Sequence, residues 1–140
     1  MTDMERWWSS DAPWVHEISE QEAPSGLTHP TESLLFHLDG RRMTSHDGLF
    51  SEFSRACEFP DYFGRNWPAL SDCLEDMLWF DETKHFLLVI HHWSDVLSES
   101  PRDREVLVRI LGEVGSDWSR LGYEGEGSPS VAFNSVLVDS

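Results

Sequence analysis

Positive charge is scarce in this sequence. Ten Lys and Arg residues stand against 26 Asp and Glu, a formal charge of −16 at pH 7. A surface of that sign repels nucleic acid and anionic membrane, while it suits solubility and a basic partner. On charge alone, an acidic solvated surface with no partner is an equal account. Cysteine is scarcer still, with only Cys57 and Cys73 present, too few for a disulfide framework. Cys73 falls on an apolar helical stripe and Cys57 closes a helical pattern. Both read as small buried hydrophobes in a reducing compartment. Apolar runs are short, and none approaches the roughly 20 residues of a membrane span. No basic start leads into an apolar segment, so no secretory leader is expected and a cytoplasmic location is.

Catalytic signatures are missing as well. No G-x-S-x-G, phosphate-binding loop or dinucleotide fingerprint occurs. Seven histidines invite a search for a metal site. His91 and His92 are adjacent at a strand end, so their side chains diverge, and no H-x-x-x-H or C-x-x-C spacing exists. Structural or surface histidines are the better account. Neither cysteine has the flanking motif of a nucleophile. Carboxylate pairs, such as Asp72 with Asp76 and Asp81 with Glu82, arise by chance in so acidic a chain and mark solvated faces. The sequence implies no catalytic residue, cofactor or metal.

Aromatic residues, by contrast, make up 12% of the chain and include seven Trp, which excludes a disordered acidic tail. A length of 140 residues suits one domain with its own core. The organising stretch is 58–80, EFPDYFGRNWPALSDCLEDMLWF. Pro60 and Gly64 break the chain, Asn66 is a good helix N-cap, and Pro68 falls in the first helical turn where its missing N–H costs nothing. Trp67, Leu70, Cys73, Leu74, Met77 and Leu78 then recur at three- and four-residue spacing, predicting a helix from Asn66 to Trp79 with one apolar stripe. Ser71, Asp72, Glu75 and Asp76 occupy its other face. An aromatic turn, Tyr62 and Phe63, thus leads into a helix with a dry face and an anionic one, which is the layout of a binding surface.

Around that stretch the elements fall in order. Residues 1–33 are acidic and rich in turn formers, yet hold Trp7, Trp8 and Trp14. They read as an extension that packs tryptophans onto the domain, with a short strand or turn near Trp14 to Ile18. An arm that docks a partner is the rival reading. Residues 34–38, LLFHL, form a strand closed by the turn at Asp39-Gly40. His46 to Glu58 reads as a helix capped by Ser45 or Asp47. Asp81 to Lys84 is a polar connection. Phe86 to Ile90, FLLVI, is a continuous apolar run, as in a strand buried on both faces of a parallel sheet. Residues 102–115 predict a further helix after Pro101, with Gly115 as its candidate end. Residues 116–130 read as an exposed loop, and Val131 to Val138 as a final strand. The order β-α-α-β-α-β favours a small parallel sheet covered by helices.

The central stretch resembles the barstar family, intracellular inhibitors of a secreted ribonuclease. In that family a Pro, acidic, Tyr, aromatic, Gly, any residue, Asn turn precedes a helix with Ala-Leu and then Asp-Cys-Leu. Here the turn is Pro60-Asp61-Tyr62-Phe63-Gly64-Arg65-Asn66, followed by Trp67-Pro68-Ala69-Leu70-Ser71-Asp72-Cys73-Leu74. The resemblance spans residues 34–140; residues 1–33 have no counterpart in it. It implies a three-stranded parallel sheet packed by helices and an inhibitor in place of an enzyme. It also implies that Asp72 stands where substrate phosphate would bind. Tyr62 and Asn66 match interface positions, and Glu113 on the last helix matches a further interface glutamate. With the helix's exposed face added, the expected partner-binding set is Tyr62, Phe63, Asn66, Trp67, Ser71, Asp72, Glu75, Asp76 and Glu113.

Two departures bear on the partner. Pro68 replaces a typical acidic residue, and Ser71 replaces the aromatic that often precedes the key aspartate. Glu75 and Asp76, one turn on, offer compensating charge. The expected partner is a basic extracellular-type ribonuclease bound at about 1:1, with no nucleic acid or membrane involved. The alternative is an immunity protein of the same fold against a non-ribonuclease toxin. An enzyme with an unrecognised site is the reading that a metal at His91 or His92 would favour.

Overall fold

The computed structural model describes residues 7–22, 33–76, 85–121 and 131–139. Strands β1 (Val15–Ser19) and β2 (Ser33–Asp39) are followed by helices α1 (His46–Cys57) and α2 (Trp67–Asp76), then by strand β3 (His85–His91), helix α3 (Arg104–Leu121) and strand β4 (Phe133–Asp139). Every strand pairing is parallel and the sheet order is β1-β4-β3-β2. The sheet therefore has four strands, which corrects the expected three. The fourth is β1, from the extension, which pairs with β4 in the register Val15↔Ser135 to Ser19↔Asp139. A five-residue strand with one buried side chain, Ile18, carries little periodic signal of its own. Its partner lies at the opposite end of the chain.

Local chemistry explains where the helices begin. Ser45 caps α1, its hydroxyl accepting from the Gly48 N–H at 3.1 Å, and Glu58 closes it in the left-handed conformation at φ 53°. Of the two cap candidates read from the sequence, Ser45 does the capping. Asn66 caps α2, its Oδ1 accepting from the Ala69 N–H at 2.8 Å. The expected continuation of that helix, through Met77, Leu78 and Trp79, lies outside the described residues, as do 81–84 and 122–130.

The core has two parts, one on each face of the sheet. On the helix-covered face Phe36, Leu38, Phe86, Leu88, Ile90, Phe133 and Leu137 meet Leu49, Phe53, Leu70, Leu74, Leu107, Leu111 and Val114. On the opposite face Leu87, Val89, Val136, Val138 and Ile18 are covered by Trp7, with Leu35 and Trp8 at the margin. Strand β3 is thus buried on both sides, as its unbroken apolar run predicts. Trp7 is held over the sheet by Asn134, whose Nδ2 donates to the carbonyls of Trp7 at 2.7 Å and Ser9 at 2.8 Å. A buried amide on the sheet face so fixes the arm with two directed bonds.

Helix α3 runs to Leu121, so Gly115 does not end it and residues 116–121 are helical, not loop. Gly115 serves another purpose. A Cβ built there would stand 2.4 Å from the Trp14 Cβ and 2.8 Å from the Phe133 carbonyl oxygen. Only glycine lets the helix approach the N-terminal arm and β4 so closely. Gly112, one turn earlier, faces open space, with nothing within 4 Å of its missing Cβ. The same substitution should therefore act in opposite directions on one helix. Gly115→Ala should lower stability by about 1–3 kcal/mol through overpacking, whereas Gly112→Ala should raise it by up to about 1 kcal/mol. Urea denaturation of the two variants checks this, and a stabilised Gly115→Ala would show that Trp14 does not lie against the helix.

Candidate partner-binding surface

The turn before α2 is built from aromatic packing on one side and an arginine staple on the other. The Phe63 N–H bonds the Pro60 carbonyl at 3.0 Å. Its ring packs on Phe59 and Phe50, with centroids 4.8 and 6.1 Å away. Trp67 packs on Phe50 at 5.3 Å and on His46 at 5.8 Å. Phe63 and Trp67 are consequently half-buried, anchoring the turn more than they project from it. Arg65, at φ 54°, reaches back to α1 and donates to Asp47 and to the Ser51 hydroxyl. Together these contacts fix the angle at which α2 leaves the turn.

Helix α2 is pinned from below. Leu70, Cys73 and Leu74 are buried, and the Trp118 indole N–H donates to the Leu74 carbonyl at 2.8 Å. That leaves Asp72 and Glu75 exposed and Ser71 and Asp76 half-buried. Tyr62, 69% exposed, is the one large hydrophobic side chain that stands out among the described residues. Its hydroxyl donates to Asp76 Oδ2 at 3.1 Å. Desolvation and that bond both push the phenol above its ordinary pKa. The Asn66 amide is partly engaged within the turn, through its cap and a 3.3 Å bond to the Gly64 carbonyl.

Glu113 is exposed on α3, and the packing of α3 beside α2 brings a further acid that sequence reading missed. Although Glu75 is exposed as a residue, its carboxyl lies against α3. Burial there, then a hydrogen bond to Asp117 and the charges of Asp117, Asp72 and Glu113, push its pKa up to about 7. Asp117 also accepts from Arg120 Nη2 at 2.6 Å. The only sequence signal for Asp117 is its place four residues after Glu113, on the same side of one helix. Asp72 makes no hydrogen bond or ion pair among the described residues. The arrangement is a rigid anionic patch across two helices, edged by Tyr62.

Other chemistries find less support. Burial raises both thiol pKa values, that of Cys57 by far the more, which keeps the sulfurs protonated and unreactive. Among the described residues no three His, Cys, Asp or Glu side chains are grouped to hold a metal ion, and no helix is long and apolar enough to cross a membrane.

A protein-family model described as Barstar (barnase inhibitor) matches residues 34–133. The match covers β2 through the start of β4 and the whole of the anionic patch; β1 and the Trp7 arm lie outside it. No curated protein matches the chain.

The crowded acids have a measurable signature. With the folded-state pKa of Glu75 raised from 4.5 to about 7, folding takes up a proton between those values, and stability declines as pH rises through that window. Glu75→Gln should remove the decline. At low salt it should be more stable than the parent by about 1 kcal/mol at pH 8, after allowance for solvent screening, and nearly equal at pH 5. Thermal melts of both proteins across that range read this out.

Proposed function

The chain belongs to the barstar family, and from that premise we propose that it is a protein inhibitor that blocks the active site of a basic ribonuclease. The observation that supports this most is Asp72: exposed, without a hydrogen-bond or ion-pair partner among the described residues, and fixed on a helix clamped by Trp118 and by a buried apolar face. A carboxylate so held can take the place of a substrate phosphate without reordering. Glu75, Glu113 and Asp117 crowd the same surface with further acids, a repulsion that a cationic cleft relieves. The charge of −16 steers encounter with such a cleft and makes association salt-sensitive. Tyr62 adds an amphipathic ring at the rim. Binding is at about 1:1, without turnover, and inside the cell that makes the inhibitor.

Pro68 and Ser71 favour a second reading. Pro68 is exposed and Ser71 half-buried on the same surface, where the family's acidic and aromatic residues would sit. A partner other than a barnase-type ribonuclease, such as another toxin, fits that altered contact. The fold and the anionic patch serve either target.

Asp72→Ala should weaken binding to the cognate ribonuclease by about 30-fold or more, mainly through faster dissociation. The scale is that of truncating one member of a buried charge pair, to which the barnase–barstar complex itself contributes. Thermal stability should hardly change. Glu17→Ala, on the far edge strand, should leave dissociation unaltered. Kinetic binding measurements decide it: equal dissociation rates for the two variants would remove Asp72 from the interface.

A further inference from the structure

Positive charge, scarce in the chain, gathers away from α2. At the carboxyl ends of β2 and β3, beside α1, lies an open pocket of about 430 Å³. Three of the chain's ten Lys and Arg residues line it, Arg41, Arg42 and Arg55, together with His37, His91 and His92. Asp39 and Glu52 are the acids in its wall. In a protein carrying −16, such a concentration runs against the composition.

The pocket's groups are held in place. Arg41 grips Asp39 through Nε at 3.1 Å and Nη2 at 3.0 Å. Arg55 grips the buried Glu52 through Nε and Nη2, each at 2.8 Å. Glu52 also accepts from the Asp39 N–H at 2.7 Å. Each fork leaves its Nη1 without a partner among the described residues, and Arg42 makes no hydrogen bond or ion pair there at all. His37 Nδ1 and His91 Nε2 share one hydrogen at 2.9 Å. Gly40 allows this gathering: a Cβ there would stand 2.2 Å from the His92 carbonyl oxygen, so only glycine lets the two strand ends press together. His92 itself is in the left-handed region at φ 53°, a strained backbone of the kind found at binding sites.

We propose that this pocket binds a small phosphate-bearing anion, independently of the α2 surface. It opens outside the carboxyl ends of two neighbouring parallel strands. Planar guanidinium groups fixed by carboxylates match phosphate oxygens. The volume suits a phosphate with a sugar-sized group attached. Inorganic phosphate and the phosphate of a nucleotide share this chemistry.

Protons should be taken up on binding. Burial holds His37 and His91 below the ordinary histidine pKa, and at His91 the neighbouring His37 and His92 add to it. Arg41, Arg42 and Arg55 line the same pocket as this pair, with His92 next to His91; Asp39 and Glu20 are the acids that act on His91, while Glu52 and Asp95 act on Arg55 and Arg41. An added anion favours the charged imidazoles, so affinity should strengthen as pH falls from 8 to 6.

Isothermal titration of the full chain at low salt with inorganic phosphate, pyrophosphate and AMP tests the site. Saturable one-site binding of at least one probe is expected, weakened about tenfold or more by Arg42→Ala and unchanged by Asp72→Ala. Arg42 is the substitution of choice because it is exposed and its side chain makes no hydrogen bond or close ion pair among the described residues, so folding is spared; Arg41→Gln is the second. Phosphate binding as tightly as AMP would identify the inorganic ion, and tighter AMP a nucleotide. Absence of saturable binding by all three probes at millimolar concentration would overturn the proposal, as would binding that both arginine variants leave unaltered. Loss of ribonuclease inhibition in Asp72→Ala tests a different surface, so the two outcomes are read separately.

Discussion

A parallel sheet whose inner strands are apolar on both faces must be covered on both faces. Phe86 to Ile90 of β3 and Phe133 to Val138 of β4 are all buried. Three helices shield one side of them, and the other depends on a tryptophan from the far end of the chain. Without Trp7, the patch formed by Leu87, Val89, Val136 and Val138 would face water, and removing a large buried ring of that kind typically costs about 3–5 kcal/mol. The arm answers that constraint. Its strand β1 pairs with β4 and becomes the edge of the sheet, its tryptophan covers the sheet, and Asn134 and Gly115 are shaped to receive it.

Rigidity at the anionic surface follows from this core. Helix α2 is short, and a ten-residue helix is marginal alone. Its orientation is set by what lies beneath: Leu70, Cys73 and Leu74 in the core, Trp118 donating to the Leu74 carbonyl, and the Phe50–Phe63–Trp67 cluster under its first turn. Acids on such a helix cannot move apart to relieve their repulsion. They hold a proton at Glu75 or await a cation. Strain of this electrostatic kind leaves the surface receptive to positive charge.

The molecule also separates its charges. Acids collect on α2 and α3, while arginine and histidine collect at the ends of β2 and β3. Neither group is continuous in sequence. Asp72 and Asp117 are 45 residues apart, and His37 and His91 are 54 apart in a direct hydrogen bond. Parallel topology brings the second pair together, because it places the carboxyl ends of consecutive strands side by side.

Features with a short repeat were legible in the sequence. The caps at Ser45 and Asn66, the apolar stripe of α2, the doubly buried run of β3 and the motif from Pro60 to Leu74 all depend on residues within a few positions of one another. So does the exposure of Asp72, once Leu70, Cys73 and Leu74 claim the core side. Only the tertiary structure decided the rest. Glycine at 115 looks like a helix stop until Trp14, about a hundred residues away in sequence, is found against it. The pairing of β1 with β4, the hydrogen bond between Glu75 and Asp117, and the arginine pocket likewise join residues from distant parts of the chain. Hydrophobic period and capping are local, set by backbone geometry and side-chain reach. Which distant groups become neighbours is settled by how the whole chain buries its apolar surface, and no local pattern records it.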